Sequence, residues 1–466
     1  MTRPLWSIDE LEVELGAPTL ALDQPATGVS IDTRTLQRGD LFVAIKGDTH
    51  DGHDHIARAF AAGARAALVA RAQDVSGPQF VVDDTLRGLE RLGVAARARS
   101  GARILAITGS VGKTSAKEMA RTALRALATT HASAASFNNH WGVPLTLARL
   151  PAEAAYGVFE IGMNHAGEIT PLVGFVRPHV ALVTTIGPVH IEHFGTLEAI
   201  ADAKAEIFSG IEPGGAAVLN RDAPQYARLA KAAARVVSFG SSPGGDARLI
   251  SCEAHGEGSR ITVEIDGERI DFTLGAPGRH MAENAVGVLL ALHTLGAPLR
   301  ACAQALAGFA PAKGRGERFS LSTPGGALTL IDESYNANPI SMRAALELLG
   351  AAQPGLGGRR IAVIGDMLEL GAQGADLHAA LAPDLVAAKV DLLFGAGPLT
   401  RALYDAAPAA MRGAHAASTE ALSAPLIAAL RAGDVVMIKA SNGSRMGPLA
   451  ASLRQHFQPA AAGDRR

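Results

Sequence analysis

Short apolar runs rich in β-branched residues alternate along this chain with stretches that carry apolar residues at helical spacing. Residues 1–98 predict two short strands around a polar turn (VSIDTRTLQRGD, then LFVAIKGD), a helix and strand across DGHDHIARAFAAGARAALVA, and a helix over 86–98. Residues 99–317 predict a strand running into a glycine turn at 109–114 and a helix after it. Buried strands follow at 156–162, 180–186 and 216–223, then a hairpin turning at Asp266-Gly267 and an apolar helix opened by Pro277-Gly278-Arg279-His280-Met281. In residues 318–466 the first predicted strand is ALTLID, ending at Asp332. Asn338-Pro339 breaks the chain before a helix from Ser341 to Leu349, and later strands lie at 360–365, in VDLLFGAG and in DVVMIKA. The pattern predicts an α/β protein of three domains: an N-terminal α/β domain (1–98), a central parallel-sheet domain (99–317) and a C-terminal Rossmann-like domain (318–466).

Composition narrows the classes. A chain of 466 residues is too long for one core, and 48% hydrophobic residues is too many for a disordered one. The net charge of −2 supplies no electrostatic footprint for nucleic acid. Cys252 and Cys302, the only two cysteines, read as small buried hydrophobes rather than a disulfide framework or a cysteine-built metal site. The N-terminal run MTRPLWSIDELEVELG has no signal-like apolar core, and no apolar run reaches membrane-spanning length; a cytoplasmic protein without membrane insertion is expected. Lysine is scarce, at positions 46, 113, 117, 204, 231, 313, 389 and 439 only, which directs attention to Lys113, Lys204 and Lys439.

Candidate chemistry centres on ILAITGSVGKTSAKEM, residues 104–119. A strand, a turn Gly109-Ser110-Val111-Gly112 and Lys113-Thr114-Ser115 opening a helix meet the needs of a nucleoside triphosphate. Glycines let the backbone approach the phosphates, and the amides and helix N-terminus supply positive partial charge. Lys113 is positioned for the β/γ-phosphates and Thr114 for Mg²⁺. Only two residues separate the glycines, where the common loop has four. Glu160, ending the strand YGVFEIG, stands where such enzymes place a second magnesium ligand. His190 and His193 follow the strand VALVTTI, with Lys204 in the next helix. Asp51-Gly52-His53-Asp54-His55 reads as a capped, solvated turn. No Asn-Lys-x-Asp segment reads guanine, so these residues indicate ATP with magnesium and leave a kinase, an ATPase motor and an ATP-dependent ligase open.

The stretches TGSVGKTSAKEM, FNNHWGVPLTL, EIGMNHAGEI, GPVHIEHFGTLEAIADAKAEIF, HMAENAVGV, IDESYNANPISM and GDMLELG resemble the Mur ligases, most closely the MurF branch. The likeness runs from IDTRTLQRGDLFVAIKGD to KASNGSRM, and the short GxxGK[ST] loop is the form this family uses. A DNPR-like segment, expected of the MurE branch, is absent. The resemblance implies an ADP-forming ligase that joins D-alanyl-D-alanine to UDP-N-acetylmuramoyl-tripeptide in peptidoglycan precursor synthesis. The carboxylate is activated as an acyl phosphate, and the amine then attacks to give a tetrahedral intermediate. It implies that Lys113 and the loop amides hold phosphates, that Thr114 and Glu160 bind one Mg²⁺ and His193 a second, and that Lys204 is carbamylated by CO₂. Asn284 would contact adenine, and Arg315 and Asp332 phosphate and ribose. Asn138 or Asn139 would touch ligand. Ser30, Thr33, Arg34 and the Lys46-Gly47-Asp48 turn would grip the UDP end, and Tyr335, Asn336 and Asn338 would flank the dipeptide. A monomer is expected. The alternatives are another ligase of the superfamily, MurE-like or folylpolyglutamate-synthetase-like, and a nucleotide-dependent switch that forms no peptide.

Overall fold

A computed structural model describes residues 4–458 apart from 20, 21, 135 and 256; the start of the N-terminal run and the end of the chain lie outside the described residues. Three sheets carry the fold. The first holds β1 (Gly28–Ser30), β2 (Asp40–Val43), β3 (Ala66–Val69) and β4 (Gln79–Val81), all parallel and in that order. The second contains β5 (Arg103–Thr108), β6 (Thr130–Ala132), β7 (Tyr156–Glu160), β8 (Val180–Val183), β9 (Ala216–Asn220), β10 (Val236–Gly240), β11 (Ala247–His255), β12 (Gly258–Ile265) and β13 (Glu268–Leu274). Their order is β13-β12-β11-β10-β9-β8-β5-β7-β6, parallel except where β12 runs against β11 and β13. The third holds β14 (Glu317–Thr323), β15 (Gly326–Glu333), β16 (Arg360–Gly365), β17 (Leu392–Ala396), β18 (Arg412–Ala416) and β19 (Val435–Lys439), in the order β14-β15-β19-β16-β17-β18.

The continuous apolar runs are central strands with both faces covered. β5 is buried from Ile104 onward and β19 throughout, as parallel strands under helices must be. Six strands go beyond the sequence expectation: β4, β10 and β11, which fall in stretches read as irregular or left without an element, and three at sheet edges. β14 precedes the ALTLID strand and pairs with it antiparallel, so the third sheet is not wholly parallel. β6 (THA) and β18 (RGAHA) form sheet edges. An edge strand needs only its pairing groups on one side and is not wrapped by helices, so none of the three carries the apolar run that betrays a central strand.

The first sheet and one face of the central sheet share a core. Trp6, Leu11, Leu89 and Leu92 belong to the same buried cluster as Val143, Leu145, Leu147 and Phe159. Polar ties reinforce it: Trp6 Nε1 donates to Ala148 O at 2.9 Å, and Arg97 donates to Val176 O and Arg177 O, each at 2.8 Å. The third sheet is covered by cores of its own, touched from the central unit by Ile191.

The Asp51–His55 turn is structural in its main contacts. Asp51 Oδ1 accepts from the His53 amide at 3.0 Å and lies 2.5 Å from His53 Nδ1, while His53 Nε2 accepts from the Ala70 amide at 2.9 Å. The His53 amide and imidazole hold the Asp51 carboxyl down to about 2. Its folded value lies below the unfolded one, so the stabilisation is complete above pH ~4 and is lost as pH falls toward 2. Asp51→Asn is expected to remove that acid-side slope from the stability of the first unit, measured by denaturant midpoints across pH 2–5. Trp6→Ala, which deletes a fully buried indole and its hydrogen bond, is expected to cost about 3–5 kcal/mol, read as faster hydrogen exchange across helices 85–99 and 142–148.

Candidate active site

β5 delivers the chain into the glycine turn, and the helix Lys113–Arg125 starts at its far side. Gly112 has φ +87, and a Cβ there would lie 2.8 Å from Asn284 Oδ1; only glycine lets the loop pass beneath Asn284. The turn is fixed from β8's side. Ser110 Oγ donates to Gly187 O and accepts from the Gly187 amide, both at 3.0 Å, and Thr184 Oγ1 donates to Val111 O at 2.5 Å. Lys113 Nζ folds back to donate to Gly109 O at 2.7 Å. Burial pulls its pKa below the usual lysine value against the opposing pull of Glu160, and Arg315 lowers it further.

Glu160 is buried at the tip of β7. Thr114 Oγ1 donates to its Oε2 at 2.9 Å, and Asn138 Nδ2 donates to its Oε1 at 2.7 Å. Asn139 does something else: its Oδ1 accepts from the Gly142 amide at 2.9 Å and caps the next helix. Lys204, in the helix Leu197–Ala205, is 3% exposed and makes no hydrogen bond or ion pair among the described residues. Burial, with Lys113 adding to it, drops its pKa well below the ordinary lysine range.

Of the two histidines after β8, only His190 lines the chamber. It sits in the left-handed region (φ 58), with Nδ1 2.5 Å from Glu369 Oε2. Burial lowers its pKa against the pull of Glu369, and the charges of Lys113 and Lys204 reach it. His193 lies on the short turn of helix Ile191–Phe194, with its ring 4.7 Å from that of His165 and Nε2 3.5 Å from Glu192 Oε1. It does not line the chamber, which differs from the expectation drawn from the sequence. The left-handed residue at 190 turns the helix so that the two side chains part, and residue spacing alone does not register that turn.

The third unit closes the chamber, whose volume is about 770 Å³. Arg315, on the connecting loop, stacks its guanidinium 4.1 Å from the centre of the Tyr335 ring. Tyr335, Asn336 and Asn338 all line the space. Asn338 also caps the helix Pro339–Ala351, its Oδ1 accepting from the Ser341 amide at 2.9 Å. Asp332 does not line it: buried in β15, it accepts from the Ser334 amide at 3.0 Å. Its neighbour Glu333 does, as alternation along a strand requires of one of the pair. Lys439, at the tip of β19, donates to Glu333 Oε2 at 3.2 Å and to Asn336 O at 3.0 Å. His280 faces the same space; burial holds its pKa below the usual value, with Glu333 opposing. Sequence reasoning assigned no role to Glu333, Lys439 or His280. Scarcity of lysine was the one signal that pointed to Lys439.

The first-unit candidates form a separate polar patch after β1 and β2, outside this chamber. Ser30 is buried, with Oγ donating to Asp32 O at 3.1 Å. Exposed Arg34 pairs with Asp32 at 2.6 Å, Thr33 is half-buried, and Lys46, Gly47 and Asp48 are exposed.

Among the described residues no three His, Cys, Asp or Glu side chains gather closely enough to cage a metal. The donors present, a threonine hydroxyl and a carboxylate beside a phosphate cradle, suit a hard cation that keeps waters and takes further oxygens from phosphate. The chamber is lined by Lys113, Arg315 and Lys439 and by Glu160, Asp222, Glu283 and Glu333; of the cations, Lys113 at the glycine turn and Arg315 are the two placed to meet a phosphate.

Comparison with known proteins agrees with this architecture. The Mur ligase middle domain matches residues 107–292, the Mur ligase glutamate ligase domain residues 314–442, and the Mur ligase family catalytic domain residues 25–76. The Escherichia coli K12 protein named UDP-N-acetylmuramoyl-tripeptide–D-alanyl-D-alanine ligase is 35% identical over 453 residues, covering 96% of this chain and 97% of its own. The Rickettsia prowazekii protein of the same name is 32% identical over 449 residues, covering 95% and 98%. A crystal structure of MurF from Acinetobacter baumannii superposes with a TM-score of 0.83 at 30% identity, covering 97% of this chain and 99% of that one. With Mur ligase models matched in all three units and relatives above 30% identity over nearly the whole chain, the chain belongs to the Mur ligase family.

Proposed function

We propose that this protein is an ATP-dependent, ADP-forming amide ligase that joins D-alanyl-D-alanine to UDP-N-acetylmuramoyl-tripeptide, a cytoplasmic step of peptidoglycan precursor synthesis. The observation that carries the reading is the single chamber in which the phosphate cradle of the central unit faces the Tyr335–Asn338 loop of the third. A switch protein needs the first of these and not the second. The names of full-length relatives at 32–35% identity specify the substrates.

Lys113 and the amides of residues 109–115 hold the β- and γ-phosphates, with Arg315 approaching from the hinge and Asn284 beside the loop for the adenine. Thr114 and Glu160 would hold Mg²⁺, and His190, which lines the chamber where His193 does not, is the histidine that would be available to it. Mg²⁺ supplies charge neutralisation for the transferring phosphoryl group. Glu333, rather than Asp332, offers a carboxylate to the ribose. The tripeptide carboxylate attacks the γ-phosphorus, ADP departs, and the acyl phosphate is taken by the dipeptide amine, which loses a proton as phosphate leaves. Tyr335, Asn336 and Asn338 flank that amine. The polar patch at Thr33, Arg34 and Lys46–Asp48 holds the UDP end, with buried Ser30, contrary to the expectation of a direct contact, bracing the turn at Asp32.

Lys204 fits carbamylation on chemical grounds. Its depressed pKa keeps a larger share of the amine neutral near pH 7, and only the neutral amine adds to CO₂. The product is an anion among cations, where a second ammonium beside Lys113 is repelled.

ADP release is expected only when UDP-N-acetylmuramoyl-tripeptide and D-alanyl-D-alanine are both present, with the pentapeptide product seen by mass spectrometry. Formation of AMP, or full turnover without the dipeptide, contradicts the proposal. Lys204→Ala is expected to lower kcat by about 10²–10³-fold, with partial recovery on adding a short-chain carboxylate; a loss that acetate and propionate leave untouched argues against the carbamate. Glu160→Gln is expected to weaken Mg²⁺ dependence far more than binding of the UDP substrate, measured by calorimetry with each ligand in turn.

A further inference from the structure

His190 is reached from two directions. Lys113 and Lys204 act on it from within the central unit, and Glu369 reaches it from the third unit, in the GDMLELG loop that follows β16. Glu369 Oε2 lies 2.5 Å from His190 Nδ1. Both residues are in the left-handed region, His190 at φ 58 and Glu369 at φ 64. Non-glycine residues adopt that conformation at a cost, and it persists where the surroundings hold it. The surroundings here are an interface. Ile191 packs against the third unit's core, and a Cβ on Gly371, which has φ +60, would lie 3.3 Å from the Glu192 Cβ. The two strained turns therefore face each other across the junction of the central and third units.

The contact is an ion-pair approach without hydrogen-bond alignment, since buried Nδ1 has no hydrogen-bond partner among the described residues; a carboxylate this close still favours the tautomer with its proton on Nδ1 and leaves the Nε2 lone pair free for a cation. We propose that Glu369 is a positioning residue: carried on the third unit, it fixes the His190 imidazole for metal binding, so that metal affinity depends on the docking of the third unit against the central one. The inference rests on the reading of His190 as a metal-facing residue. It assigns to the GDMLELG loop a role in the phosphate half of the site, although that loop belongs to the unit that brings the amine. The orientation of one metal-facing group is then set only when the unit carrying the second substrate is in place.

The test is a Mn²⁺ titration of the full-length protein with β,γ-methylene-ATP, following free Mn²⁺ by electron paramagnetic resonance. Glu369→Ala is expected to weaken Mn²⁺ binding about tenfold or more. Glu369→Gln, which keeps an oxygen facing Nδ1 without the charge, is expected to lose less. Affinity for the UDP substrate should stay as in the unsubstituted protein, and Glu192→Ala, on the same turn, should leave Mn²⁺ affinity unchanged. Affinity within twofold of the unsubstituted protein in Glu369→Ala overturns the proposal, as does an equal loss in Glu192→Ala, which would mean that the turn as a whole is loosened. Failure of the unsubstituted protein to take up Mn²⁺ with the nucleotide overturns the metal reading beneath it, a result distinct from the other two.

Discussion

Ionisable groups held out of water govern this structure. Lys113 and Lys204 are both desolvated, each pulled below its ordinary pKa, and Arg315 adds its charge to the same space. Glu160 stands opposite, already engaged by Thr114 and Asn138. Such an arrangement is costly in isolation and becomes favourable when a polyanion enters a cavity where fixed dipoles and cations are aimed at it. The nine-stranded sheet brings the tips of β5, β7 and β8 to one edge, where the charge is concentrated, and the third unit roofs it. The fold can be read as the scaffold that keeps these groups together in spite of their mutual repulsion.

The two junctions between units are built differently. The first sheet merges with the central sheet through a common apolar core and through hydrogen bonds from Trp6 and Arg97. Separating them would expose a continuous hydrophobic surface, so they move as one body. The third unit closes its own cores and meets the central one through a polar chamber, the His190–Glu369 contact and a few apolar side chains such as Ile191. Polar, partly hydrated junctions of this kind permit relative motion where shared cores do not. Mobility is therefore concentrated at the chamber that has to admit and release ligands.

Much of this was legible in the residues. Gly109 to Thr114 declares itself because a tight backbone approach requires glycine and a phosphate requires a cation. Glu160 follows because a strand tip beside that loop has few other uses for a carboxylate. The central strands are visible as apolar runs for the same reason that they are buried. The misses at the site share one cause, since each depends on an orientation that linear spacing leaves undetermined. Asp332 and Glu333 are adjacent, and only the pleat of β15 decides which faces the chamber. His190 and His193 are separated by a left-handed turn. Asn138 and Asn139 divide into a partner of Glu160 and a helix cap. The edge strands β6, β14 and β18 lack the double-sided burial that makes a strand conspicuous.

The connection between the central and third units is also a functional arm. Gly314, at φ +68, accepts a hydrogen bond from the Tyr335 amide at 3.0 Å; Gly316, at φ +102, donates to Asp332 O at 2.9 Å; and Arg315 lies between them against the Tyr335 ring. Both glycines are tied to the third unit by these backbone bonds, and the stacked ring holds the arginine to it as well. The guanidinium is thus a fixture of the third unit whose charge is felt by Lys113 in the phosphate cradle, so the placing of that unit is written directly into the field at the cradle, with no separate relay between them.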